Sequence, residues 1–401
     1  MDNKLNKYIK RITLCALALM IYVPMSVMAE TPAQLYDTVW RLINTKYVDV
    51  SDNSQIWTRW RDKYKNKLET PEDAYVAIDT MLTSLNDPYT RFLDPKEFAE
   101  ETSSIKGSLK GIGVQIGLKD GNLVVIEPIA GSPAEKAGLK ADDRILEING
   151  VSTKGISIDK AADQIRGEIG TNVKLLVKRK ESETPLTFNV TRAEIEVKAV
   201  STKPPIDVKI PSDIQYIRLS SFISKNASGE IKDILVKARD KKGYILDLRS
   251  NPGGLLSNAV IMSRMFLRPN ETIVSTVDRY GYKETVKSGG GKITSKPLVV
   301  IINKGSASAS EIFSGAMKDN HRATIVGEQS FGKGLVQEIN RLPDDAGVNI
   351  TIQRYLTPCG DDIHKKGITP DVVVKLTDEN IKNKDDVQLK EAIKILEEKC
   401  N

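Results

Sequence analysis

The chain has 401 residues, with 59 Lys+Arg against 53 Asp+Glu and only two histidines. That length is more than one hydrophobic core ordinarily serves, so two or three domains are expected. With only His321 and His364 and no His-Glu-x-x-His pattern, zinc hydrolase chemistry is not expected, nor is a metal site or a cofactor.

Residues 1–29 carry four of the basic and one of the acidic residues, which leaves 55 against 52, a net +3 of the total +6. Charge therefore gives no reason to expect a nucleic-acid partner. Lys4, Lys7, Lys10 and Arg11 precede an apolar run over 12–23, and Val27-Met28-Ala29 offers a small-residue cleavage site. That order reads as a secretory signal over 1–29. The run is shorter than the ~20 residues of a membrane span. The signal is either cleaved or kept as a membrane tether, and both put the body of the chain outside the cytoplasm. Cys15 lies inside the run. Cys359 and Cys400 could form one disulfide in an oxidising compartment or remain thiols.

Residues 30–102 read as helical. Leu35, Val39, Leu42 and Ile43 share one helix face, and Ala74, Ile78, Met81, Leu82 and Leu85 share another. Thr70 caps the second helix ahead of Pro71, and Asn86-Asp87-Pro88 stops it. Two such amphipathic helices need a partner surface, in the main body or in another subunit. Over 103–190 the pattern changes to short strands at 112–116, 123–126, 145–148, 173–177 and 186–190. A short helix starts at Ser132-Pro133, a longer one runs over 158–169, and Asn149-Gly150 is a hairpin turn. This is a compact, half-open β domain with two helices. From 191 onward, near-continuous apolar strands at 214–219, 244–248, 298–302 and 323–326 alternate with helical stretches at 229–238 and 258–266. That predicts an α/β layer covered on both faces, closed by a helix over 386–396.

The chemistry concentrates in three stretches of 191–401. Gly305-Ser306-Ala307-Ser308-Ala309-Ser310-Glu311 follows one apolar strand and opens a helix. A hydroxyl there sits beside free N–H groups that favour developing negative charge. Ser308 and Glu311 also fit a plain capping box. A serine nucleophile needs a base, and neither histidine is well placed. Lys333, in Ser330-Phe331-Gly332-Lys333-Gly334, is the alternative, because apolar packing, with Phe331 nearby, lowers an amine's pKa. A surface loop lysine is the bland reading of the same residue. Gln337, four residues on in an alternating stretch, would face the same way and accept a bond from the amine. Gly327 to Lys333 imitates the start of a phosphate loop, but Gly334 stands where Ser or Thr is needed and a strand follows. Asp247-Leu248-Arg249-Ser250-Asn251-Pro252-Gly253-Gly254 ends another strand. Gly253 or Gly254, with Ala309, could offer backbone N–H groups to an oxyanion. Asp247 and Arg249 read as scaffold.

These stretches, with Asn86-Asp87-Pro88-Tyr89-Thr90-x-Phe92 and Gly367-Ile368-Thr369-Pro370-Asp371, closely resemble the carboxyl-terminal processing peptidases, or tail-specific proteases. The likeness runs over nearly all of the chain beyond 29. It implies an α/β multidomain protein: an α/β serine peptidase core, an inserted PDZ-like β domain and N-terminal amphipathic helices. It implies Ser308 as nucleophile, Lys333 as general base, Gln337 as its orienting group, and Ala309 with Gly254 or Gly253 as the oxyanion hole. In the PDZ-like domain a substrate tail would add beside 112–116, touching Ile112, Gly113, Val114 and Ile116, with its carboxylate near Leu109, Lys110 and Gly111. Protein substrates held by their C-terminal tails, homodimer contacts through the N-terminal helices and a periplasmic location are the corresponding expectations. The rivals are a non-catalytic tail-binding adaptor and a small-substrate esterase or amidase.

Overall fold

The computed structural model describes residues 31–400 apart from 50, 52–55, 65, 106–107, 120, 130, 197–198, 207 and 225. The expected signal over 1–29 and Cys15 lie outside the described residues. Cys359 and Cys400 are both free thiols.

The central layer is a six-stranded sheet built in chain order. Ile214–Leu219, Gly243–Asp247, Leu298–Ile302, Thr324–Gly327 and Val372–Val373 run parallel, and Val200–Ser201 pairs antiparallel on the outer edge of the first. Gly243–Asp247 and Leu298–Ile302 are buried at every position. The two-residue period of a strand explains why. Leu219, Tyr244, Leu246, Leu298, Val300 and Ile302 face helices Ala227–Lys237, Leu256–Arg264 and Ala309–Asp319. Ile214, Tyr216, Ile245, Val299 and Ile301 face the opposite way, onto Leu389, Ala392 and Leu396 of the last helix, Val387–Cys400. A strand buried on both faces must be apolar throughout, and these are.

A second sheet stands beside it. Its centre is the ten-residue strand Gly347–Leu356, which pairs with Arg91–Leu93, Leu335–Arg341 and Thr272–Asp278, the last carrying Lys283–Lys287 as a hairpin. Val348 and Ile350 of the long strand receive the apolar faces of Pro32–Lys46 and Pro71–Thr83. Thr31 and Thr70 cap these helices through Gln34 and Asp73. The partner surface for both helices is thus the main body. Val76 stays exposed on the outer face of the second.

The inserted β unit is an antiparallel sheet in the order Val114–Lys119, Asn122–Pro128, Arg144–Ile148, Asn172–Lys178, Leu186–Thr191. Its first strand begins at Val114, two residues later than the sequence suggests. Gly113 takes φ +75°, and a Cβ there would lie 2.4 Å from the Ser132 Cβ, so the chain turns at that point instead of extending. The helix expected over 158–169 stops at Ile165, where Arg166 turns extended. A two-stranded ladder of Ser108–Gly111 with Ala193–Glu196 ties the unit's two ends together. Helix Pro95–Ile105 leads into the unit and meets its helix Ile158–Ile165 by the exposed pair Lys96–Asp163 at 2.8 Å.

One buried ionic cluster fixes the loop after Gly243–Asp247. Arg249 Nη2 donates to Asp247 Oδ2 at 2.6 Å, and its Nη1 donates to Asp386 Oδ1 at 2.7 Å. The Tyr216 hydroxyl donates to Asp247 Oδ2 at 2.8 Å. Burial opposes the guanidinium's charge, but the two carboxylates outweigh it and hold its pKa up. Removing one member of a buried ion cluster strands the others. Arg249→Ala should therefore cost ~3–5 kcal/mol of core stability. Urea unfolding of the two proteins measures this, and a difference under ~1 kcal/mol would contradict it.

Candidate active site

Strand Leu298–Ile302 turns into helix Ala309–Asp319 through a loop with three serines. Ser306 and Ser310 are fully buried, and their hydroxyls donate to the carbonyls of Leu248 and Asn251 at 2.8 and 2.9 Å. Both are spent in holding the loop to 248–251. Ser308, half-buried, lies between them at φ +55°, ψ −114°. A positive φ on a non-glycine residue is strained, and a sharp strand-to-helix turn of this kind pushes a serine Oγ outward. The Glu311 N–H bonds the Ser308 carbonyl at 2.8 Å. Although the two residues form a capping box, the Ser308 hydroxyl makes no cap hydrogen bond of ordinary geometry. Ser308 lines a cavity of about 410 Å³.

Glu311 has work that sequence reasoning missed. Its carboxylate is 1% exposed. Oε2 accepts the N–H of Ser308 at 2.8 Å and of Lys333 at 2.9 Å. Oε1 accepts the Gly332 N–H at 2.7 Å and the Ser330 hydroxyl at 2.5 Å. One side chain thus joins the two loops. Tyr355, on the long strand, joins them again. Its hydroxyl donates to the Lys333 carbonyl at 2.6 Å and reaches the Ser308 carbonyl at 3.2 Å. No motif pointed to Tyr355; only the pairing of Gly347–Leu356 with Leu335–Arg341 brings it here.

Lys333 lines the same cavity and is half-buried. It forms no ion pair among the described residues. Its amine lies 4.7 Å from the centre of the Tyr89 ring. Burial lowers its pKa below the ordinary lysine value, Arg91 adds to this, and Glu101, Asp87 and Glu311 oppose it. The ring that covers the amine is Tyr89, not Phe331: Phe331 is 57% exposed. Phe331 does not line the cavity that holds Ser308 and Lys333, so nearness in sequence is a poor guide to what covers the amine.

Gln337 also lines this cavity, with Nε2 3.5 Å from Thr351 Oγ1. The strand starts only at Leu335, and a bulge separates Val336 from Gln337. The two-residue period therefore does not connect Gln337 to Lys333; the shared cavity does. No direct hydrogen bond joins Ser308, Lys333 and Gln337 in this conformation, as is common in unliganded sites.

Gly253 presses against the serine loop, and Gly254 against Phe222 and Ile223, just past strand Ile214–Leu219. A Cβ on Gly253 would lie 2.5 Å from the Ala307 carbonyl oxygen and 2.8 Å from the Ala309 nitrogen. The Gly253 N–H is taken by Asn251 Oδ1 at 2.9 Å. The N–H groups of Gly254 and Ala309 have no acceptor among the described residues, and Gly254 lines the cavity.

In the inserted unit, Val114–Lys119 is bonded on one edge only, to Asn122–Pro128. Val114 and Ile116 pack partly into that unit's core, and Ile112 is buried in it. The Gly113 carbonyl accepts from the Ile129 N–H at 2.8 Å and from Ser132 Oγ at 3.0 Å. Leu109, Lys110 and Gly111 pair with Ile195, Glu194 and Ala193 in the two-stranded ladder.

Comparison with known proteins bears on the whole chain. Residues 213–374 match the model of peptidase family S41, and residues 124–179 match that of a PDZ domain. The chain is 43% identical over 365 residues to the carboxyl-terminal-processing protease of Synechocystis sp., covering 89% of this chain and 85% of the relative. It is 35% identical over 367 residues to the carboxy-terminal processing protease CtpA of Bacillus subtilis, covering 90% and 75%. Among solved structures, a photosystem II D1 C-terminal processing protease superposes with a TM-score of 0.60 at 32% identity, covering 92% of this chain and 97% of the other. A serine-type peptidase core joined to a PDZ domain, with relatives this close over this much of both chains, makes the protein a member of the carboxyl-terminal processing proteases of peptidase family S41.

Proposed function

We propose that Ser308 is the nucleophile and Lys333 the general base of an exported peptidase that takes its substrates by their C-terminal tails. One observation carries the dyad. An unpaired, half-buried lysine and the one free serine of a strained elbow open onto the same cavity, their backbones joined by a single carboxylate.

The tail adds as a strand to the free edge of Val114–Lys119, beside helix Ile158–Ile165, with its carboxylate toward residues 109–113. The chain ahead of the tail enters the cavity. Ile223, Leu256, Ile312 and Val336 line it and favour an apolar side chain beside the cut bond. Neutral Lys333 takes the proton of Ser308 as Oγ bonds to the scissile carbonyl carbon. The oxyanion rests between the N–H groups of Ala309 and Gly254, at the positive end of helix Ala309–Asp319. As the C–N bond breaks, the Lys333 ammonium returns the proton to the leaving amine. Water then adds to the acyl-enzyme, giving its proton to Lys333, and as the ester bond breaks the Lys333 ammonium returns that proton to Ser308 Oγ. Gln337 would steer the amine through its amide oxygen, which adds no full charge and so leaves the base deprotonable. The signal read over residues 1–29 supports an activity outside the cytoplasm, with the periplasm as the compartment we favour, on either a released or a tethered enzyme.

Wild type, Ser308→Ala and Lys333→Ala should be incubated with an unfolded protein ending in apolar residues and read by intact mass. Fragments are expected from wild type alone, with each variant slower by at least ~10³-fold. Equal cleavage by Ser308→Ala would end the peptidase assignment of that residue. Tail capture without fragments from any form would favour the adaptor.

The pH profile follows from the base. Lys333 works as the free amine, so kcat/KM should climb with pH and level off above its pKa, below the ordinary lysine value of ~10.4. Glu101 raises that pKa, so Glu101→Gln should move the rising limb to lower pH. A limb that stays put in this variant, or moves upward, contradicts the electrostatic account.

A further inference from the structure

A second cavity of about 790 Å³ lies at the other ends of the parallel strands, remote from Ser308. Pro297, Leu298 and Thr324 mark the strand starts there, and the end of helix Ala309–Asp319 forms one wall. Five cations line it, Arg268, Lys292, Lys318, Arg322 and Lys399, against two carboxylates, Glu271 and Asp371. The surplus of three equals the whole net charge of the chain beyond residue 29, gathered in one hollow.

Both carboxylates are committed. Asp371 Oδ2 accepts the Ile325 N–H at 2.8 Å, and its Oδ1 pairs with Lys318 at 3.5 Å. Glu271 Oε2 accepts the Arg268 backbone N–H at 2.7 Å. The side chains of Arg268, Lys292, Arg322 and Lys399 form no ion pair among the described residues. Arg322 is half-buried, yet its guanidinium meets no carboxylate: it donates to the carbonyls of Phe266, Thr294 and Lys296 at 2.9, 3.2 and 2.9 Å and lies 5.7 Å from the centre of the Phe266 ring. Helix-end cations commonly answer the dipole of a helix C-terminus. That accounts for Lys318 and Lys399 but not for Arg268 and Lys292, which belong to no helix end in the hollow. Charge packed with too little counter-charge is unfavourable: burial, Arg322 and Arg268 lower the Lys292 pKa, and Glu271 offsets this only in part.

We propose that this rear hollow binds a phosphate-type oxyanion, supplied either as free phosphate or as the headgroup of an anionic lipid. Arg268 and Lys292 supply charge-assisted donors at its mouth, and Arg322 supplies the fixed positive floor. A lipid headgroup bound there would turn the Ser308 cavity away from the bilayer.

The test uses the full protein and Arg268→Gln/Lys292→Gln, both exposed enough to change without emptying a core. Inorganic phosphate, against sodium chloride at equal ionic strength, should raise the wild-type Tm in a concentration-dependent way. The double variant should need at least ~10-fold more phosphate for the same rise. Sedimentation with phosphatidylglycerol vesicles, against phosphatidylcholine vesicles, identifies the source: wild type retained and variant released points to the headgroup, and a phosphate response alone points to the free ion. If neither measurement separates wild type from the double variant, the hollow is not an anion site. Peptidase rates of the two proteins should be equal, so this result is independent of the dyad assignment.

Discussion

The buried carboxylate of Glu311 carries the geometry of the site. It accepts four hydrogen bonds, from the backbone of Ser308, Gly332 and Lys333 and from the Ser330 hydroxyl. Each bond to a charged group is worth ~1.5–3 kcal/mol against its absence, while a buried charge without partners costs several kcal/mol. Glu311 is therefore stable inside the protein only when both loops are in place. The loops in turn are held only as well as Glu311 is. Because it takes up backbone N–H groups, the carboxylate uses none of the chemistry of the Ser308 hydroxyl or the Lys333 amine. Tyr355 repeats the logic with the opposite polarity, donating to carbonyls of the same two loops.

The amine itself is poised between opposing influences. Burial and the ring of Tyr89 take it out of water, and Arg91 repels its charge, whereas Glu101, Asp87 and Glu311 favour the charge. None of those carboxylates forms an ion pair with the Lys333 amine, although Glu311 accepts the backbone N–H of Lys333, and a close partner of the amine would hold it protonated. Asp87 is occupied with the hydroxyls of Thr90 and Thr351, both at 2.8 Å or less. Glu101 is occupied with Asn349 and Arg91. The acidic groups near the amine are thus tied to neutral or cationic partners before they can reach it. Glu101 sits on Pro95–Ile105, the helix that leads into the PDZ domain, and that helix touches the PDZ helix through exposed pairs, Lys96–Asp163 and Arg166–Glu100. Such pairs are worth ~0–1 kcal/mol each, so they orient the domain without locking it.

Much of the fold could be read from local pattern. The parallel strands announce themselves as unbroken apolar runs, and Thr70, Ser132 and Asn149-Gly150 mark a cap, a cap and a turn where the structure has them. The misses share a cause. Gly347–Leu356 contains Asn349, Gln353 and Arg354, so it looks like neither a buried strand nor a clean alternation. Two of its polar side chains find partners far away in sequence: the Asn349 amide donates to Glu101 at 2.8 Å and the Thr351 hydroxyl to Asp87 at 2.7 Å. The strand at Val114 and the helix end at Ile165 were misplaced because the breaks depend on contacts, such as Gly113 against Ser132, that no short window contains.

The site shows the same division in miniature. Ser306, Ser308 and Ser310 are chemically identical and alternate with alanine, so no local rule chooses among them. The choice is made by residues 248–251, whose carbonyls capture the first and third hydroxyls. With its neighbours anchored on both sides, the middle residue is forced through the positive-φ turn, and its hydroxyl is the one left without a scaffold acceptor. The same loop delivers the N–H of Gly254, because Asn251 has already claimed that of Gly253. The Arg249 cluster that fixes residues 248–251 beside the last helix therefore supports the serine loop without lining the cavity. A sequence can show that serines, glycines and a lysine recur in order; which hydroxyl and which N–H remain free is settled by hydrogen bonds between strands that the chain order keeps apart.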